Sequence, residues 1–219
     1  MAHPTAAAPP YLPISRPAVS EGEVEAVAEV LRSGWLTTGP RVRAFEQAFA
    51  GYVGAQHAIA LISCTAGLHL SLLAAGVGPG DEVLTTPLTF CATANVVLHV
   101  GATPVFADVD PVTQSLDPAA AAAAVTARTR VLLPVHLGGR PADMAALRAV
   151  AAREDLTVIE DAAHCIEGVS NAGKVGTTAD FTCFSFYATK TITTGEGGML
   201  TTDRDEWAER VRIMSLHGI

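Results

Sequence analysis

The sequence predicts an α/β protein in which a largely parallel sheet is covered by helices on both faces. From residue 57 onward, strand-like apolar runs alternate with helix-like runs. The strand-like runs are continuously apolar, which is typical of strands buried on both faces. The segments between them are long enough to form the crossover helices that parallel neighbours require. At 219 residues the chain is long enough for one sizeable domain.

The elements follow one another in a regular order. Five strands are predicted, at residues 58–62, 82–86, 104–107, 130–135 and 157–159. Four helices are predicted between them, at residues 66–75, 89–100, 118–128 and 142–153. Two further runs, 181–186 and 198–202, are separated only by a glycine-rich loop with no room for a crossover helix. This spacing predicts an antiparallel pair or a local departure from the parallel pattern.

The N-terminal part of the chain is organised differently. Residues 1–12 form an Ala- and Pro-rich stretch that is predicted to be a disordered tail rather than a signal peptide. Ser20 and Glu23 have the spacing of a capping box, so a helix is expected to begin there and to end at Gly34. A second helix is predicted at residues 41–50. Residues 13–219 contain no linker and are predicted to form one domain.

Composition and charge argue against several function classes. The net charge is −8, and the 14 lysines and arginines form no dense run, which disfavours nucleic acid and anionic membranes as partners. Residues 83–107 carry no charged side chain, but turn-forming residues interrupt them, which favours a buried strand–helix–strand over a membrane span. Charged residues make up 16%, against about 25% in average proteins. Such a surface suggests cover by a second subunit or by further chain.

The cysteines and histidines form no metal-binding pattern. The four cysteines contain no CxxC pair and the seven histidines no HxxxH pair, so no metal is predicted. The cysteines are interpreted as reduced, mostly buried thiols of a cytoplasmic protein. The chain also lacks the GxSxG motif of a serine hydrolase and the GxGxxG motif of a dinucleotide-binding domain.

Lys190 is the most informative candidate residue. It lies just beyond an apolar strand and before a glycine-rich turn, where a side chain can reach into a cleft. A lysine that forms a Schiff base must be partly desolvated so that its amine can lose a proton. The alternative is an ordinary surface lysine, and Lys174, the only other lysine in the chain, fits that description.

Asp161 follows the apolar run 157–159 at the carboxyl end of a predicted strand. Ligands of open α/β sheets bind beyond these strand ends. A carboxylate there can pair with a protonated pyridine nitrogen, although an Asp at a strand end is more often a turn former or a helix cap. His164 could contact the same ligand or be structural, and His136 is interpreted as structural rather than catalytic.

The third candidate element is the strand-to-helix turn 63–67, which contains Thr65 and Ala66. Small residues at a helix start leave backbone N–H groups free to bind phosphate. Simple helix capping by Ser63 or Thr65 is compatible with the same pattern. Phe90, near the start of the next helix, could stack on an aromatic ligand or belong to the core.

Taken together and in this order, these segments resemble the DegT/DnrJ/EryC1/StrS family of sugar aminotransferases, which depend on pyridoxal 5′-phosphate (PLP). The resemblance begins near residues 35–40 and extends to the last residue; it includes segments 78–83, 101–106 and 134–139. It implies that Lys190 forms the Schiff base with PLP and then moves the substrate proton. It also implies that Asp161 pairs with the pyridine nitrogen, that His164 contacts the ring hydroxyl and that Phe90 stacks on the ring.

The same resemblance implies the remaining partners and the architecture. Thr65, Ala66 and Ser185 would hold the phosphate. Residues 13–219 would form the PLP-binding large domain of an aspartate-aminotransferase-like (fold type I) protein that works as a homodimer with shared active sites. Members are longer, so the C-terminal small domain is expected to be missing here. The implied reaction moves an amino group from an amino acid, glutamate by expectation, to a keto-sugar nucleotide.

Two alternatives remain open at this point. A pyridoxamine phosphate (PMP)-dependent sugar dehydratase uses the same scaffold, but in that branch histidine replaces the Schiff-base lysine, which Lys190 opposes. A non-catalytic PLP-binding fragment is the other alternative. The acceptor could be a keto-deoxysugar nucleotide, a keto-cyclitol or an aminobenzoate precursor, and the sequence does not choose among them.

Overall fold

The computed structural model describes residues 11–219, and nine strands form within them. In chain order the strands are β1 (His57–Leu61), β2 (Glu82–Thr85), β3 (Thr103–Phe106), β4 (Thr129–Leu132), β5 (Thr157–Asp161), β6 (Val169–Ser170), β7 (Gly173–Lys174), β8 (Phe181–Ser185) and β9 (Gly198–Thr202). The helices are α1 (Glu21–Ser33), α2 (Pro40–Val53), α3 (Cys64–Ala74), α4 (Ala92–His99), α5 (Pro118–Ala124), α6 (Met144–Glu154) and α7 (Asp205–Ser215). The predicted tail at residues 1–12 lies outside the described residues as far as residue 10; Tyr11 and Leu12 are exposed and belong to no element.

Seven strands form one sheet in the order β1-β9-β8-β5-β4-β2-β3. The neighbours β2–β3, β2–β4, β4–β5 and β5–β8 are parallel, whereas β9 is antiparallel to both β1 and β8. The predicted α/β class and the predicted antiparallel pair are both confirmed. A small hairpin of β6 and β7, which the sequence pattern did not indicate, stands apart from this sheet.

Alternate residues of the central strands pack into different apolar clusters, as expected for a sheet covered on both faces. Val83, Val131 and Ile159 belong to the cluster that contains α3, α4 and α7 residues. Leu84 and Leu132 pack instead with residues of α5 and α6. A third cluster joins α2 to the end of the sheet at β8 and β9. The apolar core therefore extends over both faces of the sheet and holds the sheet between two layers of helices.

The structure extends β5 two residues beyond the predicted end. The backbone N–H of Asp161 donates to the Pro134 carbonyl at 2.9 Å, and Asp161 pairs with Cys183 of β8. Glu160 and Asp161 are therefore strand residues, and their side chains leave opposite faces of the sheet. The helix predicted at residues 89–100 begins later, at Ala92, because the preceding residues form a turn.

Helix α1 has the predicted capping box and ends at Gly34 with the left-handed φ of 72° that favours glycine. None of its residues is buried, and Val24, Val27 and Leu31 are exposed. Helix α2 is longer than predicted and packs Phe49 and Val53 into the core. Of the helices formed by residues 11–219, none has the length and apolar character needed to cross a membrane.

Candidate active site

A cavity of about 350 Å³ opens at the carboxyl ends of β5 and β8. Its walls come from the first turn of α3, the segment before α4, the loop after Val135, the turn after β5 and the turn after β8. This is the sheet edge at which ligands of open α/β folds bind, and the volume lies in the range of small-molecule sites. Six of the seven predicted site residues line it: Thr65, Phe90, Asp161, His164, Ser185 and Lys190.

Lys190 lies in the turn that joins β8 to β9. Phe186 N–H donates to the Gly197 carbonyl at 2.9 Å, which closes the base of this turn, and Lys190 N–H donates to the Tyr187 carbonyl at 2.9 Å. The lysine side chain is half-buried and lines the cavity. The turn therefore presents an amine to an enclosed space.

Asp161 is buried at the base of the cavity and is held by three donors. Its Oδ1 accepts from the Ala163 N–H at 3.1 Å and from the Cys64 thiol at 3.8 Å. Its Oδ2 accepts from the Thr93 hydroxyl at 2.8 Å, and Thr93 in turn lies 2.7 Å from the Thr89 hydroxyl. These bonds fix the direction of the carboxylate toward the cavity.

His164 lies at the rim of the cavity, and its protonation is set by its neighbours. Its Nδ1 accepts from the Gly138 N–H at 3.3 Å, so the proton of the neutral ring is on Nε2. Desolvation and then the charge of Lys190 lower the pKa of His164, while Asp161 acts in the opposite direction. The ring is therefore a neutral hydrogen-bond donor at pH 7.

The first turn of α3 supplies polar groups to the opposite wall. Ser63 caps the helix by accepting from the Ala66 N–H at 3.1 Å, while the amides of Cys64 and Thr65 have no intrahelical acceptor. Gly198 allows this close approach, because a Cβ there would lie 2.3 Å from the Ser63 carbonyl carbon. Burial, and next the charge of Asp161, raises the pKa of the Cys64 thiol well above its ordinary value, so the thiol stays protonated.

Ala66 is the predicted site residue that the structure does not bring to this cavity. It lines a neighbouring groove beside β1, and its amide is occupied by Ser63. Its role in holding phosphate stays a prediction. Phe90 is 72% exposed at the cavity rim, so one face of its ring is free to stack on a planar ligand.

Two polar residues next to the site residues were not predicted. Thr93 holds the Asp161 carboxylate, and the hydroxyl pair that it forms with Thr89 could have been found as an i, i+4 pair of threonines near a helix start. Glu160 is fully buried beside His136, with its Oε1 3.6 Å from the Nε2 of that ring. His136 is itself buried, which agrees with its interpretation as structural.

The donor set fits PLP in its chemistry. An amine, a carboxylate, hydroxyl and amide donors at a helix start, and an exposed aromatic ring all line one cavity. These groups match an aldehyde, a pyridine nitrogen, a phosphate and a ring face respectively. Within residues 11–219 no three His, Cys, Asp or Glu side chains converge on a common point as a metal site requires. The absence of a metal stays a prediction.

Comparison with known proteins identifies relatives of the same kind. The chain is 54% identical over 209 residues to the spore coat polysaccharide biosynthesis protein SpsC of Bacillus subtilis, covering 95% of this chain and 54% of that protein. The solved structure of DesI in the presence of its TDP-sugar product is 40% identical, with a TM-score of 0.87 and coverage of 93% and 52%. NtdA from Bacillus subtilis with bound cofactor PMP is 37% identical, with a TM-score of 0.83 and coverage of 88% and 43%.

The chain spans about half the length of the curated relatives it matches. The family match extends over residues 17–219, which includes every residue of the cavity. The predicted large-domain fold is confirmed by these structural matches, which each cover about half of the solved chains. The chain belongs to the DegT/DnrJ/EryC1/StrS aminotransferase family, a family of PLP-dependent aminotransferases.

Proposed function

We propose that this chain binds PLP through Lys190 and transfers an amino group from an amino acid, glutamate by expectation, to the keto group of a nucleotide-linked deoxysugar. The observation that carries this proposal is that the Lys190 amine and the Asp161 carboxylate line the same cavity. When bound, PLP would supply an electron sink for the bond that breaks at the amino-bearing carbon.

Each residue of the candidate site has one role in this proposal. The Lys190 Nζ would hold the cofactor and would accept and return the substrate proton. Asp161, held by the Thr93 hydroxyl, would keep a proton on the pyridine nitrogen. His164 would donate from Nε2 to the ring oxygen, and Phe90 would cover one ring face. Thr65, Ser185 and the α3 amides would hold the phosphate.

The substrate and the assembly are proposed on separate grounds. DesI, a relative, is described with a TDP-sugar product, and SpsC with polysaccharide biosynthesis, which together favour a sugar nucleotide as acceptor. A homodimer with shared sites is favoured by the exposed apolar residues of α1 and by the low charged fraction of the chain. A cytoplasmic location and the absence of nucleic-acid and membrane partners stay predictions.

Covalent trapping tests the proposal directly. The chain is mixed with PLP, its absorbance is recorded, and borohydride is added before peptide mapping by mass spectrometry. We expect one pyridoxyl adduct, on Lys190, in the wild type and in Lys174→Ala, and none in Lys190→Ala. An adduct on Lys174 alone, or no adduct at all, contradicts the proposal.

A second step separates an enzyme from an inert binder and from a dehydratase. Glutamate is added to the PLP-loaded protein, and conversion of the cofactor to PMP is followed by absorbance. Conversion supports an aminotransferase. PLP binding without conversion identifies a non-catalytic fragment. Binding of PMP with no covalent link to Lys190 supports the dehydratase alternative.

A further inference from the structure

Glu160 is a buried carboxylate that the proposed reaction does not use. It lies next to Asp161 on β5, but its side chain leaves the opposite face of the sheet, away from the cavity. Within residues 11–219 no lysine or arginine pairs with it. Its donors are the hydroxyls of Thr178 and Thr182, the latter at 2.6 Å, and the Nε2 of His136 lies 3.6 Å from its Oε1, beyond hydrogen-bond distance. A buried carboxylate is costly unless it is hydrogen-bonded, and here the two hydroxyls supply those bonds.

His136 is held between this carboxylate and the loop that follows it. Its Nδ1 accepts from the Ala142 N–H at 3.0 Å, so Nε2 carries the proton and faces Glu160. Burial acts to raise the pKa of Glu160, but His136 and the two threonine hydroxyls outweigh it and hold that pKa below its ordinary value. The charged form of Glu160 is therefore favoured beside the buried His136 ring.

The His136–Ala142 bond closes a loop that reaches the candidate active site. Gly138 has a φ of 61°, and its N–H donates to His164 Nδ1 at 3.3 Å. Gly139 lies so close to the same turn that a Cβ there would be 3.2 Å from the His164 carbonyl oxygen. The Cys165 thiol also donates to the Gly139 carbonyl at 3.3 Å. The loop is thus clamped to the segment that carries His164.

We propose that Glu160 and His136 are positioning residues for His164. By fixing the loop 137–142, they keep the Gly138 N–H on His164 Nδ1 and so keep the His164 proton on Nε2, where it faces the cavity. The inference rests on the proposed function in one respect: it takes the acceptor of the His164 Nε2–H to be the ring oxygen of PLP. The tautomer itself is a property of the chain without cofactor.

Nuclear magnetic resonance of the cofactor-free chain tests this directly. The imidazole nitrogens are labelled with 15N, and long-range 15N–1H correlations report the tautomer and the titration of His164. The variant is Glu160→Gln, which removes the charge and replaces one of the two acceptor oxygens by an NH2 donor. The matched control is Glu167→Gln, which removes an exposed carboxylate from the same turn. Native folding of each variant is checked by its amide spectrum.

The direction of the pKa change separates positioning from simple electrostatics. Lys190 and Asp161 are the charged groups that act on His164 from neighbouring elements. Removing the negative charge of Glu160 alone would lower the pKa of His164. Losing the Gly138 donor, which stabilises the neutral ring, would raise it. We expect a raised pKa and a mixture of both tautomers in Glu160→Gln, and no change in Glu167→Gln.

An unchanged tautomer in folded Glu160→Gln, or a lowered pKa of His164, overturns the proposal. If Glu160→Gln does not fold, Thr178→Val decides the question, because it removes one donor to Glu160; a smaller change in the same direction is expected, and no change overturns the proposal. Because the measurement uses the chain without PLP, failure of covalent trapping at Lys190 leaves this result standing, and the two proposals fail separately.

Discussion

The chain contains two lysines, one in the short strand β7 and the other in the turn after β8. Lys174 ends β7 in the small hairpin, where its Nζ lies 3.5 Å from the Tyr52 hydroxyl and 4.6 Å from the centre of that ring. Lys190 lies in the turn after β8, where it lines the cavity with Asp161 and His164. The first amine contacts a phenol at the surface, and the second faces an enclosed set of titratable groups.

The difference between the two lysines follows from their supporting elements. The Lys174 hairpin is a two-stranded ribbon outside the main sheet. The Lys190 turn is closed by β8 and β9, two strands in the interior of the sheet order, and by backbone bonds at its base. Both lysines are partly buried, but only Lys190 lies in a cavity beside other titratable groups, which is the setting in which a lysine acquires reactivity. Comparing variants of the two lysines therefore separates chemistry from charge.

Replacing each lysine separately by alanine tests the difference between the two regions most directly. We expect Lys190→Ala to slow glutamate-dependent formation of PMP by about 10⁴-fold or more, because both the covalent attachment and the proton carrier are lost. Lys174→Ala should change the rate by less than about twofold, since its cation–π contact is exposed. The measurement is single-turnover absorbance. Equal losses in the two variants would place the chemistry elsewhere.

Asp161→Asn tests whether the carboxylate of the Lys190 region is needed. The amide can still accept from Ala163, but it carries no charge to keep a proton on the pyridine nitrogen. We expect the same half-reaction to slow by about 10²-fold, in the range of lost electrostatic stabilisation. Asp180→Asn is the matched control. Asp180 accepts from the Val158 N–H and does not line the cavity, so this variant removes a carboxylate charge elsewhere in the fold. A similar loss in both variants would indicate a general folding defect.

Thr93→Val sharpens the comparison by removing one support of Asp161 without touching the charge. A buried hydrogen bond to a charged group contributes about 1.5–3 kcal/mol, so we expect roughly a tenfold loss of rate or of PLP affinity. Thr89→Val, one hydroxyl further from the carboxylate, should cost less. Titration of PLP against each variant measures the affinity. A larger effect in Thr89→Val would contradict the order of these contacts.

Much of the fold could be predicted because burial leaves a periodic trace in the sequence. Continuous apolar runs gave the central strands, and β9 was predicted to its last residue. The end of β5 was missed, because Asp161 is held in the strand by pairing with Pro134 and Cys183, which are distant in the sequence. The β6–β7 hairpin was missed because two-residue strands have no periodicity to detect.

Site residues could be predicted where few residue types can perform the chemistry. Residues that only hold those side chains in place could not be predicted in this way. Lys190 and Asp161 could be proposed from strand ends and reactivity. Glu160 was overlooked beside Asp161, although alternation along a strand places neighbouring side chains on opposite faces. The role of Thr93 depends on how α4 lies against β5, and one sequence contains no direct record of that packing.

The smallest expected effect is a change in the titration of His164. Desolvation is the largest cause of the lowered pKa of His164, and the charge of Lys190 is the second. Lys174 does not contribute to it. Because the folded pKa lies below the ordinary value of about 6.5, the associated stability is fully present above that value and is lost as the pH falls through the folded pKa. We expect Lys190→Ala to raise the pKa of His164 in the cofactor-free chain and to lessen its share of acid destabilisation, while Lys174→Ala changes neither. Chemical shifts of the His164 ring across pH 4–8 measure the first effect, and urea unfolding over the same range measures the second. An unchanged pKa in Lys190→Ala would mean that the side chains of Lys190 and His164 do not face one another across the cavity.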